Sequence, residues 1–132
     1  LGARAIIDLL EKQALAPQAV GRIYLGTESA VDGAKPTATY MAKLVEEWFE
    51  ATHGPRSLKH CDVVDLTFAC IGGIDALQNA CDWVMAGGVE ANRQAIVVAA
   101  DTARYQQQST GEYTQGAGAV AVLVRLQPGL VS

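Results

Sequence analysis

The residues of this chain that could do chemistry are a cysteine and a few carboxylates, each placed where a strand gives way to a loop or helix. Cys70 lies in Val63-Val64-Asp65-Leu66-Thr67-Phe68-Ala69-Cys70-Ile71-Gly72-Gly73, which reads as a short buried strand and a tight turn leading into a helix. At a helix N-terminus the unpaired backbone N–H groups and the positive end of the dipole favour an anion, and a thiolate is one. Gly72 and Gly73 would leave the sulfur open to a large substrate and let backbone N–H groups face a developing oxyanion. The competing reading is that Cys70 is a small buried hydrophobe, the commonest fate of unpaired cysteine. Glu28 and Asp32 follow the β-rich run Arg22 to Thr27, in the loop at a strand's carboxyl end where open α/β sheets bind ligands. Either could equally be a solvated loop carboxylate or a helix cap.

Those positions require a scaffold of alternating strands and helices. Residues 1–15 carry Leu1, Ala5, Ile6, Leu9, Leu10 and Ala14 on one stripe, an amphipathic helix stopped near Pro17. Its start within a helical turn suggests a piece of a longer chain. Pro36 opens a helix from Thr37 to about Thr52, with Met41, Leu44, Val45, Trp48 and Phe49 as the apolar face and both aromatics read as core. The helix after Cys70 repeats Ile71, Ile74, Leu77, Cys81, Val84 and Met85, and Ala86-Gly87-Gly88 ends it. Gln94 to Ala100 is a continuous apolar run, the pattern of a central strand covered on both faces. Gly116 to Val124 is a last strand whose small residues would let another backbone pack closely. Together these predict an α/β domain with a mostly parallel central sheet and helices on both faces.

Composition narrows the function classes. The 132 residues suit one hydrophobic core, and the net charge of −4 offers no basic stripe to neutralise phosphates, so nucleic acid is not an expected partner. The longest apolar runs are too short to span a bilayer, and no membrane partner is expected. Three cysteines fit neither a disulfide framework nor a paired metal motif, and free thiols suit the cytoplasm. Cys61 and Cys81 read as packing residues. His53 and His60 have no partner at metal-ligand spacing.

Three segments taken together resemble the N-terminal half of the hydroxymethylglutaryl-CoA synthases, within the thiolase superfamily. They are Gly26-Thr27-Glu28-Ser29-Ala30-Val31-Asp32 with Lys35; Phe68-Ala69-Cys70-Ile71-Gly72-Gly73; and Ala99-Ala100-Asp101-Thr102-Ala103-Arg104-Tyr105 followed by Gly111-Glu112-Tyr113-Thr114-Gln115-Gly116-Ala117-Gly118-Ala119. The cysteine turn alone would fit ketoacyl synthases or thiolases. The Gly-Thr-Glu-Ser segment separates this family from them.

The resemblance implies one half of a thiolase-like fold over residues 1–132 and a homodimer in the full-length protein, joined near the cysteine-bearing strand. It implies that Cys70 takes the acetyl group of acetyl-CoA as a thioester and that Glu28 removes a methyl proton. The carbanion would add to acetoacetyl-CoA, with Asp32, Asp101, Gly72 and Gly73 supporting the site. Coenzyme A thioesters would be substrates, and no cofactor or metal is expected. Two features depart from the family: Ile71 stands where Tyr is frequent, and the catalytic histidine belongs to the C-terminal half. His53 and His60 do not occupy its place. The rival readings are a carrier-protein-dependent β-branching synthase, a ketoacyl synthase, or a non-catalytic thiolase-fold scaffold.

Overall fold

A computed structural model describes residues 1–87 and 94–126. Helix α1 (Gly2–Lys12) leads through a short 3-10 turn to strand β1 (Val20–Gly26). Helix α2 (Thr37–His53) and strand β2 (Asp62–Leu66) follow, then a 3-10 turn over Ala69–Ile71 that runs directly into helix α3 (Gly72–Met85). Strand β3 (Gln94–Ala103), a 3-10 turn at Glu112–Thr114 and strand β4 (Gly116–Val124) complete the order.

The four strands form one sheet in the order β2-β1-β3-β4. β1 pairs in parallel with both β2 and β3, while β4 runs antiparallel to β3 from Ala95↔Val124 to Ala103↔Gly116. The sheet is therefore mostly parallel, as expected, with one antiparallel edge. β3 is central, as its unbroken apolar run requires. The cysteine-bearing strand β2 is not buried: it is an edge strand, and its residues are half-buried or exposed. The reason is that, among the described residues, β2 pairs with β1 alone.

Alternation along β1 and β3 sends successive side chains to opposite faces. Ile23, Leu25, Ile96 and Val98 join Ile6, Ile7, Leu10, Val45 and Phe49 of α1 and α2 in one cluster. Tyr24, Ala95 and Val97 pack against Ala76, Ala80 and Val84 of α3 in a second cluster on the other face. Helices thus cover both faces, two on one side and one on the other.

Several expected packing faces differ. α1 ends at Lys12, and Ala14 takes a left-handed conformation with φ +47° as the chain turns toward β1. Trp48 is not core: it is 53% exposed, its Nε1 donates to Glu11 Oε1 at 3.0 Å, and the Arg4 guanidinium lies 5.2 Å from its ring. The amphipathic indole lies along the α1–α2 seam with its N–H satisfied by a carboxylate. On α3 the buried stripe is Gly72, Ala76, Ala80 and Val84, whereas Ile71, Ile74 and Met85 are exposed. Small residues four apart let the helix settle close to the sheet, and the bulkier apolar stripe turns outward. Among the described residues nothing stands within 4 Å of where a Cβ of Gly116 or Gly118 would be, so no backbone packs closely at these two positions. Gly87, at φ +89°, follows the end of α3; Gly88, also named for the helix stop, lies outside the described residues.

Candidate active site

The carboxyl ends of β1, β2 and β3 lie side by side, because Gly26 is in register with Leu66 on one side and Ala99 on the other. Each strand hands over there to a loop bearing a candidate group. β1 ends before Thr27-Glu28-Ser29, β2 ends before Cys70, and β3 carries Asp101 on its last turn of pleat. The parallel register gathers residues 28, 70 and 101, which lie far apart in the chain.

Cys70 sits in the 3-10 turn that precedes α3, with its side chain exposed. Three glycines set this turn against the sheet. A Cβ on Gly26 would fall on the backbone of Gly72 and Gly73, and one on Gly72 would stand 2.9 Å from the Leu66 carbonyl oxygen. A Cβ on Gly73 would meet that of Ala99 at 3.0 Å. Gly72 and Gly73 therefore have a packing function: α3 begins within backbone contact of β1, closer than side chains would permit.

A cavity of about 280 Å³ opens beside the sulfur. Its walls are Gly26, Gly73, Ile74, Leu77, Val97, Ala99, Val120 and Val122, with Cys70 and Asp101 as the groups capable of chemistry. A second cavity of about 220 Å³ is lined by Glu28, Ser29, Asp101, Thr102, Arg104 and Tyr105. Asp101 belongs to both, so the cysteine side and the glutamate side share one wall.

Glu28 is exposed at the loop, with its carboxylate beside the Cys70 thiol. That contact, and then the negative charge of Glu28, hold the Cys70 thiol above the ordinary cysteine range; slight burial and the charge of Asp101 push the same way. The helix N-terminus was expected to favour a thiolate. The adjacent carboxylate opposes it and raises the thiol instead.

Asp101 is built as an anion. Burial alone would raise its pKa, but the N–H of Glu28, the Thr27 hydroxyl and the hydroxyl and N–H of Ser29 all donate to it and bring it below the usual range. All four bonds converge on Oδ1, at 2.6 Å from Glu28 N, 2.8 Å from Thr27 Oγ1, 3.0 Å from Ser29 Oγ and 3.1 Å from Ser29 N. Asp32 faces its own loop instead. Its carboxylate accepts from the N–H groups of Lys35 and Ala34 and from the Tyr40 hydroxyl, and these contacts lower its pKa, helped by the Lys35 charge.

Three contributors escaped the sequence reading. Asp65, inside β2, accepts the N–H groups of Thr37 and Ala38 through its two carboxylate oxygens and so caps α2. Its polar side chain within an apolar strand was the available signal. Ser29 and Thr27 bind Asp101, and nothing in their loop context distinguishes them from solvated hydroxyls. Among the described residues no group of three metal-ligating side chains gathers, and no helix is long and apolar enough to cross a membrane.

A cysteine-bearing turn against the carboxyl end of a mostly parallel sheet, with a carboxylate on the loop after the neighbouring strand, fits an α/β fold of the thiolase type. A family model described as "Hydroxymethylglutaryl-coenzyme A synthase N terminal" matches residues 1–128, and the chain belongs to that family. It is 40% identical over 131 residues to the hydroxymethylglutaryl-CoA synthase of Haloferax volcanii, covering 99% of this chain and 28% of that protein. It is 37% identical to synthase A of Dictyostelium discoideum, covering 94% of this chain and 24% of that protein. The structure of MvaS in complex with 3-hydroxy-3-methylglutaryl coenzyme A superposes with a TM-score of 0.78 at 37% identity, over 95% of this chain and 27% of that one. The curacin-pathway HMG synthase in complex with holo donor-ACP gives 0.70 at 29% identity, over 91% and 27%. The chain thus spans about a quarter of the length of the curated relatives it matches.

Proposed function

We propose that residues 1–132 are the nucleophile-bearing part of an enzyme that condenses acetyl-CoA with acetoacetyl-CoA. The Cys70 sulfur attacks the acetyl thioester, coenzyme A leaves with the thiol proton, and acetyl-Cys70 results. Glu28 then takes a proton from the acetyl methyl group, and the carbanion forms a carbon–carbon bond to the ketone of acetoacetyl-CoA. The alkoxide takes a proton from a group outside this chain, and water cleaves the Cys70 thioester to release 3-hydroxy-3-methylglutaryl-CoA. A thioester acidifies its neighbouring carbon, and a base standing beside the sulfur reaches that carbon without further movement.

The observation that carries this reading is the convergence of the Glu28 loop, Cys70 and Asp101 at the carboxyl ends of three adjacent strands, with Asp101 lining both the apolar cavity beside Cys70 and the cavity that holds Glu28. A scaffold has no physical need for both groups in contact. Asp101 supports the reading from the shared wall, as the anchor of the loop that bears Glu28. The solved complex of a 37%-identical relative with 3-hydroxy-3-methylglutaryl coenzyme A favours coenzyme A as the acyl carrier. A donor carrier protein, as in the 29%-identical curacin-pathway structures, is the second reading.

The outward-facing Ile71, Ile74, Val120 and Val122 support a further part of this reading. They form the apolar wall against which the remainder of the polypeptide packs, and the complete protein is a homodimer acting in the cytoplasm. The 132-residue segment alone is then inactive as a synthase. The test is incubation of the complete protein with acetyl-CoA, followed by peptide mapping. One acetyl group is expected on Cys70 and none on Cys61 or Cys81. Label on either of those with Cys70 clean contradicts the assignment. Glu28→Gln should still acetylate Cys70 but lose methyl-proton exchange and condensation by about 10²–10⁴-fold.

A further inference from the structure

We infer that Ser29 is a positioning residue for Glu28: its hydroxyl ties the loop after β1 to the end of β3 and so fixes where the Glu28 carboxylate stands relative to Cys70. The catalytic consequence rests on the condensing reading above; the geometric claim does not.

Ser29 is bonded in two directions. Its Oγ donates to Asp101 Oδ1 at 3.0 Å and accepts the backbone N–H of Thr102 at 2.9 Å. A hydroxyl has one proton to give, and here it goes to the carboxylate while a lone pair takes the strand's N–H. The Ser29 N–H lies 3.1 Å from both Thr27 Oγ1 and Asp101 Oδ1, a shared bond within the same knot. Glu28 stands between these anchored neighbours, with its own N–H on Asp101.

Without the knot, Glu28 would be an exposed residue on a loop, free to sample many backbone and rotamer states. Ser29 supplies two of the four donors on Asp101 Oδ1 and is alone among the three loop residues in also holding the β3 backbone by its side chain. Removing its hydroxyl leaves Asp101 with fewer donors and the Thr102 N–H without this acceptor. The loop then moves, and a displacement of about 1 Å at a reacting group can cost about 10²-fold in rate.

The test uses the complete protein with Ser29→Ala, the rescue variant Ser29→Thr, and Glu28→Gln as a reference. Iodoacetamide labelling of Cys70 is followed against pH, alongside acetyl-Cys70 formation and methyl-proton exchange. Ser29→Ala should move the labelling midpoint down toward that of Glu28→Gln, because the displaced carboxylate no longer holds the thiol proton. Exchange should fall about 10–100-fold with acetyl-Cys70 yield unchanged, and Ser29→Thr, which keeps the hydroxyl, should restore both readouts. If Ser29→Ala fails to fold, Ser29→Cys keeps the volume with a weaker hydrogen-bonding group and should shift the same way. A labelling midpoint unchanged from wild type in the folded variant, or no rescue by threonine, overturns the inference. Should the wild-type protein neither acetylate nor exchange, the condensing reading fails separately, and the labelling midpoint still decides the role of Ser29.

Discussion

The two faces of the sheet are built to different specifications. On the α1–α2 face, Ile6, Leu10, Ile23, Leu25, Val45, Ile96 and Val98 are all but fully enclosed. On the α3 face the helix rests on Gly72, Ala76 and Ala80, and beyond it Ile74, Val120 and Val122 remain exposed around a cavity. The first face holds bulk in a closed core, which is where apolar burial contributes most to stability. The second uses small residues to bring a helix start and its cysteine close to the strand ends, leaving apolar surface uncovered. The closed core and the candidate site thus lie on opposite sides of one sheet.

Substitutions that move bulk between these specifications should have the largest effects. Ile23→Ala opens a void in the closed face and should cost about 2–5 kcal/mol, read by chemical denaturation of the complete protein. Gly26→Ala attacks the other face, forcing a methyl into the backbone of Gly72 and Gly73. A cost of about 1–3 kcal/mol or more is expected, together with altered Cys70 labelling, which Ile23→Ala should leave unchanged. A folded Gly26→Ala protein with wild-type stability and labelling would remove the close approach from the account of the site.

Ile74→Asp sharpens the comparison, since Ile74 is 67% exposed in this chain. It should improve the solubility of the 132-residue segment yet destabilise the complete protein, if the missing remainder covers this face. Equal, small effects in both would mean that the face is solvated. Asp65→Ala uncaps α2 and should cost about 1–2 kcal/mol. The smallest effect belongs to Trp48→Ala on the outer surface, under about 1 kcal/mol, because an exposed cation–π contact and a surface hydrogen bond contribute little.

Much of the placement of the candidate site was legible because its elements carry local signals. Cys70 before two glycines, the continuous run of β3 and the loop after β1 follow from periodicity and turn chemistry, and the parallel register then joins them. What escaped depends on which of two possible surfaces an element presents. α3 has an apolar stripe and a small-residue stripe, and periodicity alone favours the bulkier one; close packing of the glycines against β1 selects the other. Asp65 stood out as a polar residue in an apolar strand, but what it caps was not readable, because those N–H groups lie 27 and 28 residues away in sequence. The raised thiol of Cys70 was missed because a helix N-terminus is visible in sequence, whereas a carboxylate arriving from another strand is not.

The contact between Glu28 and Cys70 is open to one direct measurement: the pH dependence of Cys70 labelling in the wild-type protein and in Glu28→Gln. The carboxylate accepts the thiol's hydrogen bond and opposes a second negative charge, so the thiolate should form at higher pH than for an ordinary cysteine. Glu28→Gln removes the charge and should shift the labelling midpoint to lower pH, making the variant faster to label at mildly alkaline pH even as condensation is lost. Superimposable profiles for the two proteins would mean that Glu28 does not stand beside Cys70, and the assignment of base and nucleophile would fail with it.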